Sequence, residues 1–367
     1  MDRSQVFFAN LRTNPSENLL QKFRRLLVRA GYTKLDLNGK YVALKIHFGE
    51  MGNLAFMRPN YARVVVDLTK EMGGKPFLTD ANTLYVGSRK NALDHLETAY
   101  ENGFNPFVTG CHVIIADGLK GTDEALVPVA GKYVTEAKIG RAVMDADVFV
   151  SLTHFKMHEC AGVGGALKNI GMGCGSRAGK MEMHSNGKPS VDHDLCVGCG
   201  ACAKTCAHDA ISFNSRKKAT IDKSKCAGCG RCVGRCPKDA VYAAMDEKYE
   251  ILNKKICEYS LAVLQNRPSF HVSFVVDVSP FCDCHSENDV PVVPNIGMFA
   301  SYDPVALDLA CAEAVNAQPV VPNSILASKN STGDYFQTMH PDTNWRAVVE
   351  YGAEIGLGSL EYDLIEI

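Results

Sequence analysis

The chain has 367 residues, 46% of them apolar and 22% charged, with a formal net charge of −2. This is the composition of a globular protein with one large or two medium domains, and it excludes a disordered chain. The near-neutral balance gives no argument for nucleic acid or a membrane surface as partner.

Taken in order, the first element is a helix in "SENLLQKFRRLLVRAG", with Ser16 as the expected N-cap and Gly31 as the stop. Its spacing sets Leu19, Leu20, Phe23, Leu26 and Leu27 on one face. "YVALKIHF" (41–48) reads as a buried strand, and "PNYARVVVDLTKEMGG" as a helix starting near Pro59. "PFLTDA" (76–81), "HVIIAD" (112–117), "DVFVSL" (147–152) and "HVSFVVDV" (271–278) read as further buried strands. "DPVALDLACAEAVN" (303–316) opens a helix on an aspartate cap. The alternation predicts an α/β class, a mainly parallel sheet with helices on both faces. Ligands of such sheets sit outside the carboxyl ends of the strands. There the chain places His47 with Glu50, Asp80 with Asn82, Asp117, His154 and Asp277, which are expected to line one crevice.

Between two of these strands runs "SLTHFKMHECAGVGGALKNIGMGCGSRAGKMEMHS" (151–185), glycine-rich and without periodicity. It carries His154, His158, Cys160, Lys168, Cys174, Arg177, Lys180 and His184, and "PFCDCHSENDV" later adds Cys282, Cys284 and His285. Soft and borderline ligands at this density predict a metal or substrate site. Cys174, Cys282 and Cys284 are the expected ligands, completed by His184 or His154, for iron, zinc or nickel. His154, His158, Lys168 and His184 are the candidate catalytic groups, and Lys168 with Arg177 would bind an anionic substrate. "GVGGALKN" is not a P-loop and "GMGCGS" lacks the third glycine of a dinucleotide fingerprint. An anion site on backbone amides and Lys168 stays open. Cys111, Cys257 and Cys311 lie inside strand or helix patterns and read as small buried hydrophobes.

Fifteen cysteines in all, an odd number, and an N-terminus without the order of an export signal argue against disulfides and for a cytoplasmic location. No run of eighteen apolar residues marks a membrane span. Eight cysteines form a repeat: "LCVGCGACAKTCAHDAISF" (195–213) and "KCAGCGRCVGRCPKDAVYA" (225–243), each with C-x2-C-x2-C-x3-C. Three cysteines on a tight glycine-bearing loop can wrap a cubane while the fourth points elsewhere. The repeat resembles the two-cluster bacterial ferredoxins, in which the fourth cysteine ligates the other cluster. That resemblance assigns Cys196, Cys199, Cys202 and Cys236 to one [4Fe–4S] cluster, and Cys226, Cys229, Cys232 and Cys206 to the second. It implies an inserted α+β ferredoxin-like domain over 188–246, dividing an α/β core of 1–187 and 247–367. Ala207 stands where the second run has Pro237. Paired zinc knuckles are the competing reading, but the duplicated run with "DAI" and "DAV" behind it matches ferredoxins better.

"HFKMHECAGVGGALKNIGMG" and "PNIGMFASYDPVALD" resemble the signature blocks of the domain-of-unknown-function 362 family, which implies the same α/β core and no settled activity. A fainter resemblance reaches the core of lactate racemase, where a lysine carries a nickel-pincer nucleotide. It implies an acid/base role for His158, attachment at Lys168 and nickel ligation by His184, with His95 as a second acid/base and Arg58-Pro59 at the substrate. The function expected is an iron–sulfur oxidoreductase, passing electrons from two clusters to a metal or anionic substrate in the crevice. The alternatives are an electron carrier docking on a partner oxidoreductase, and a nickel-pincer isomerase.

Overall fold

The helix Leu19–Arg29 is capped by Asn18 and not by Ser16. The Asn18 side chain accepts from the Gln21 N–H at 3.0 Å, and the Gln21 side chain accepts from the Asn18 N–H at 2.9 Å, a reciprocal capping box. Ser16 is held in the preceding turn, where the Asn14 side chain accepts from both its N–H and its hydroxyl. Phe23, Leu26 and Leu27 are buried, while Leu20 falls on the flank of the apolar stripe and is exposed. Pro59 is the first residue of Pro59–Glu71, and Asp303 caps Pro304–Asn316 by accepting from the Val305 and Ala306 N–H groups.

This computed structural model describes residues 3–84, 87–185, 187–245, 247–329, 331 and 333–367; position 246, the expected end of the insertion, lies outside the described residues. Eight strands form one sheet: β1 (Ser4–Asn10), β2 (Tyr41–Ile46), β3 (Lys75–Asp80), β4 (His112–Ile115), β5 (Val148–His154), β6 (Ser269–Val275), β7 (Gly297–Ser301) and β8 (Tyr362–Glu366). Their spatial order is β8-β1-β7-β6-β5-β2-β3-β4. Neighbours are parallel except around β7, which runs antiparallel to both β1 and β6. β4 has a partner on one side only, so His112 and Ile114 are exposed where the apolar run predicts full burial.

The pleat divides the core by alternation. Val42, Leu44, Ile46, Val148, Val150 and Leu152 pack with the helices Leu19–Arg29 and Pro59–Glu71 on one side. Ala43 and Phe149 pack on the other with Ala166–Cys174 and Tyr249–Leu264. Helices therefore cover both faces, as the alternating elements predict. Cys111 joins the first cluster, and Cys257 and Cys311 lie in a third under Pro304–Asn316, all as small hydrophobes. No described helix is long and apolar enough to cross a membrane.

The cysteine-rich segment forms two small hairpin-like pairs outside the main sheet. Pro189–Val191 pairs antiparallel with Val241–Ala243, and Ile211–Phe213 with Ala219–Ile221. The outer pair brings the beginning and end of the segment together, between the helices Arg177–Ser185 and Tyr249–Leu264.

Candidate functional site

The loops after β2, β3, β5 and β6 converge at the carboxyl ends of the parallel strands. They enclose a cavity lined by Lys45, His47, Asp80, Arg89, Lys156, Lys168, Lys180, His184 and Cys284. Lys168 is aimed by the helix Ala166–Cys174, whose first N–H groups are capped from another element. Asp308 accepts from the N–H of Ala166 at 2.6 Å and of Leu167 at 2.9 Å. A Cβ at Gly165 would come within 2.3 Å of that carboxylate, so only glycine fits. The "GGALKN" and "DPVALD" blocks thus meet in one contact. Burial, offset in part by these N–H groups, pushes the Asp308 carboxyl up to about 7.

His47, Cys282 and Cys284 bring one ligand atom each within 4.8 Å of one another. Lys168 Nζ lies 3.3 Å from Cys282 Sγ. The hydrogen bond from Cys284, then Lys168 and His158 acting against burial, hold the Cys282 thiol well below its ordinary range; the same bond and burial push Cys284 up. His158 Nδ1 accepts from the Cys160 and Ala161 N–H groups at 3.0 and 3.2 Å, which leaves Nε2 as the donor toward Cys282. Burial and the surrounding Arg89, Lys156, Lys168 and Lys45 keep His47 neutral, the state in which imidazole ligates a metal. His285 continues the turn and pairs with Glu159 at 2.9 Å.

Most of the lining cations are already matched. Lys45 meets Asp80 at 2.9 Å and Asn169 at 2.8 Å, Arg89 meets Glu50 at 3.0 Å, and Lys156 meets Asp283 at 3.1 Å. Lys180 has no ion pair among the described residues; its Nζ donates to the Gly175 carbonyl at 2.6 Å. Burial, opposed by Asp117 and Asp80, brings its ammonium down to about 8. Sulfate binding in the cavity, followed by calorimetry, is therefore expected to weaken as pH rises through about 8. Lys180→Arg should abolish that dependence, because a guanidinium stays charged.

Several residues singled out from the sequence lie elsewhere. Cys174 is fully buried in the apolar cluster with Ile170 and Met172, where burial pushes its thiol up to about 11. The side chain grouped with Cys282 and Cys284 is instead His47, from the end of β2. His184 lines the cavity outside that group, and burial takes it down to about 3. His154 does not face the cavity: Nδ1 donates to Asp283 at 2.9 Å and Nε2 to the Val276 carbonyl at 2.8 Å, so it anchors the cysteine turn. Asn82 and Asp117 bond each other at 2.8 Å, Glu50 backs Arg89, and Asp277 caps no part of the lining. Arg58 is the exposed N-cap of its helix, and the buried arginine at the cavity is Arg89. His95 packs behind Asp80 against the Phe48 ring. Sequence reasoning missed Lys45, Arg89 and Asp283; a lysine inside the apolar run "VALKI" was the available signal for the first.

Arg177 parts from Lys168 altogether. It donates to the Lys90 carbonyl and lies against Gly230 and Gly234 of the second cysteine run. The helix Arg177–Ser185 is a partition. Lys180 and His184, one turn apart, face the cavity, while Met181 joins the apolar cluster holding Cys196, Cys202 and Cys232. Leu84 belongs to both the cavity lining and that cluster. Within the cysteine-rich segment, Cys196, Cys199, Cys202 and Cys236 line a single space. Cys232 faces Cys226 and Cys229. Gly198, Gly200, Gly228 and Gly230 hold φ between 65° and 78°, the left-handed turns that tight cysteine loops need.

A family model described as "Domain of unknown function (DUF362)" matches residues 42–313. That is more than half of the chain, and the chain belongs to this family. Two solved structures are similar to it at low identity. The lactate racemase apoprotein from Thermoanaerobacterium thermosaccharolyticum is 13% identical with a TM-score of 0.38, covering 75% of this chain and 52% of that one. A protein from Thermotoga maritima is 13% identical with a TM-score of 0.44, covering 83% and 60%. The chain thus spans between 52% and 60% of these two structures. None of the curated proteins matches it.

Proposed function

We propose that this member of the DUF362 family is an iron–sulfur redox protein whose cysteine-rich insertion, 188–246, serves the cation-lined cavity of the α/β body. The observation that carries the reading is the helix Arg177–Ser185, which supplies Lys180 and His184 to the cavity and Met181 to the cysteine cluster. The cysteine runs suit two [4Fe–4S] groups, because the four sulfur-bearing residues 196, 199, 202 and 236 surround one space and the second run repeats the pattern. Such groups supply one-electron transfer when bound.

The other roles belong to the chain's own residues. His47, Cys282 and Cys284 suit a soft or borderline metal ion such as iron, zinc or nickel, with a position left for a substrate atom. Lys180 is placed to hold an anionic substrate group, since Lys45, Arg89 and Lys156 already have carboxylate partners, and Lys168, bonded to Cys282 Sγ, adds its charge to the same cavity. His158, donating a hydrogen bond from Nε2 to Cys282, can orient the sulfur and stabilise negative charge on it or on a group bound beside it. His184, kept neutral by burial, fits an acceptor or ligand better than a proton donor.

Metal and acid-labile sulfide analysis of anaerobically purified protein tests the reading. About eight irons and eight sulfides per chain are expected from two cubanes. A further metal should be lost in Cys282→Ser and kept in Cys196→Ser. Zinc without sulfide would sink the proposal; iron and sulfide with no further metal, and cluster redox cycling unchanged in Lys168→Ala, would leave an electron carrier.

One observation favours a second reading: Lys168 and His184 line the same cavity, as the nickel-pincer resemblance requires. Intact-mass measurement of natively purified protein decides it. Added covalent mass at Lys168 would support isomerase chemistry, and an unmodified lysine would end it.

A further inference from the structure

A groove runs between the cysteine-rich segment and the α/β body. Its basic lining is Lys90, Lys120, Arg177, Lys204, Arg231 and Arg235. Two of these charges are answered within the chain: Lys90 pairs with Asp239, and Arg177 faces Asp117. Lys120, Lys204, Arg231 and Arg235 are exposed and take part in none of the ion pairs among the described residues. A chain of net charge −2 therefore concentrates four uncompensated cations on one face.

The position of that face matters as much as its sign. The cysteine-rich segment lines it through Ala201 and Lys204 and through Arg231, Gly234 and Arg235. These belong to two short helices, Ala201–Lys204 and Arg231–Arg235, which contain Cys202 and Cys232 and lead directly into Cys206 and Cys236. Half of the eight cysteines of the repeat are thus within a turn of the groove. Gly234 allows the approach: a Cβ there would overlap the Arg177 guanidinium, so glycine lets the segment seat on the body and close the groove floor.

We propose that this groove is the docking face for an acidic electron-carrier protein, an inference that rests on the iron–sulfur reading above. Complementary charge speeds encounter and orients the partner, and it does so beside the two short helices that carry Cys202 and Cys232. One electron would leave the reduced carrier and enter one oxidised [4Fe–4S] group, with no proton transferred. A small anion is a poorer fit, because the four free cations are exposed rather than converging in a buried pocket. A nucleic acid would need a longer basic stripe than six residues provide.

The test uses cluster-loaded full-length protein and an acidic flavodoxin as probe, with binding read by titration calorimetry and cluster reduction read by absorbance. The triple variant Lys204→Glu/Arg231→Glu/Arg235→Glu should weaken binding by about tenfold or more, and salt raised well above about 0.15 M should do the same to the parent. Reduction by the small cationic viologen radical should not slow in that variant, which separates docking from cluster damage. Iron and sulfide retained with flavodoxin affinity unchanged, or no binding by the parent, overturns the docking face and leaves the iron–sulfur reading standing. Missing iron and sulfide would overturn both. Tighter binding of a single-stranded oligonucleotide than of flavodoxin would also overturn it and make the groove a nucleic-acid site.

Discussion

Cys206→Ser is expected to remove half of the iron and sulfide, about four of each, and the group lost should be the one held by the other cysteine run. Cys206 belongs to the first run by sequence, yet its predicted partners are Cys226, Cys229 and Cys232. The structure pairs the runs in the same crossed sense at the other fourth position, where Cys236 shares a lined space with Cys196, Cys199 and Cys202. Cys202 likewise faces Cys236 and Cys196. Comparing Cys206→Ser with Cys236→Ser, and each with Cys196→Ser, by iron analysis and electron paramagnetic resonance reads the pairing directly. If Cys206→Ser and Cys196→Ser destroyed the same signal, each run would hold its own group and the crossed assignment would be wrong. Cys206 is only half-buried, so the serine side chain itself should cost the packing little.

The largest effect on stability is expected at Asp283. Its carboxylate takes the His154 ring at 2.9 Å and the Lys156 ammonium at 3.1 Å, and all three side chains are buried. Removing one partner of such a group leaves buried charge uncompensated, which costs about 3–5 kcal/mol. Asp283→Ala should therefore lower the unfolding free energy by that order in a denaturant titration. Asp283→Asn should recover little, since it keeps the shape but still strands the ammonium. A loss below about 1 kcal/mol would mean that charge pairing does not hold this turn.

The pH dependence follows with a definite sign. Burial alone would raise the Asp283 carboxyl, but His154 and Lys156 outweigh it and hold the folded value below the ordinary range. A depressed acid contributes stability that is complete above the unfolded value of about 3.9 and is lost as the pH falls through the folded one. The parent should thus lose stability on acidification below about pH 4, and Asp283→Ala should lose less over the same window. The same substitution should disturb the grouping of His47, Cys282 and Cys284, because Asp283 stands between the two cysteines.

Two kinds of information are written locally in this chain. The C-x2-C-x2-C-x3-C repeat and the alternating apolar runs are legible because ligand spacing and the periods of strand and helix are set by neighbouring residues. The α/β class, the helices on both faces and the Pro59 and Asp303 helix starts follow from that. Even locally, Asn18 displaced Ser16 as a cap because a reciprocal bond to Gln21 was available, and β4 became an edge because its order in the sheet is not a local property.

The site was legible only in part. Cys282, Cys284, Lys168 and His184 were noticed as reactive types, and tertiary structure then sorted them. Cys174 went to the core because its helix buries it in the apolar cluster shared with the helix Tyr249–Leu264, and His154 went to Asp283 because both of its nitrogens found acceptors. His47 joined the cysteines because β2 and β6, far apart in sequence, flank β5 in parallel and end at the same edge of the sheet. The stretch "GCGSRAGKMEMHS" was the least readable, since it lacks a single buried face: as a helix between two sites it answers to the cavity through Lys180 and His184, and to the cysteine segment through Arg177 and Met181. Residue types and spacings are carried by the sequence itself; which side of a wall each one faces depends on packing between segments distant in the chain.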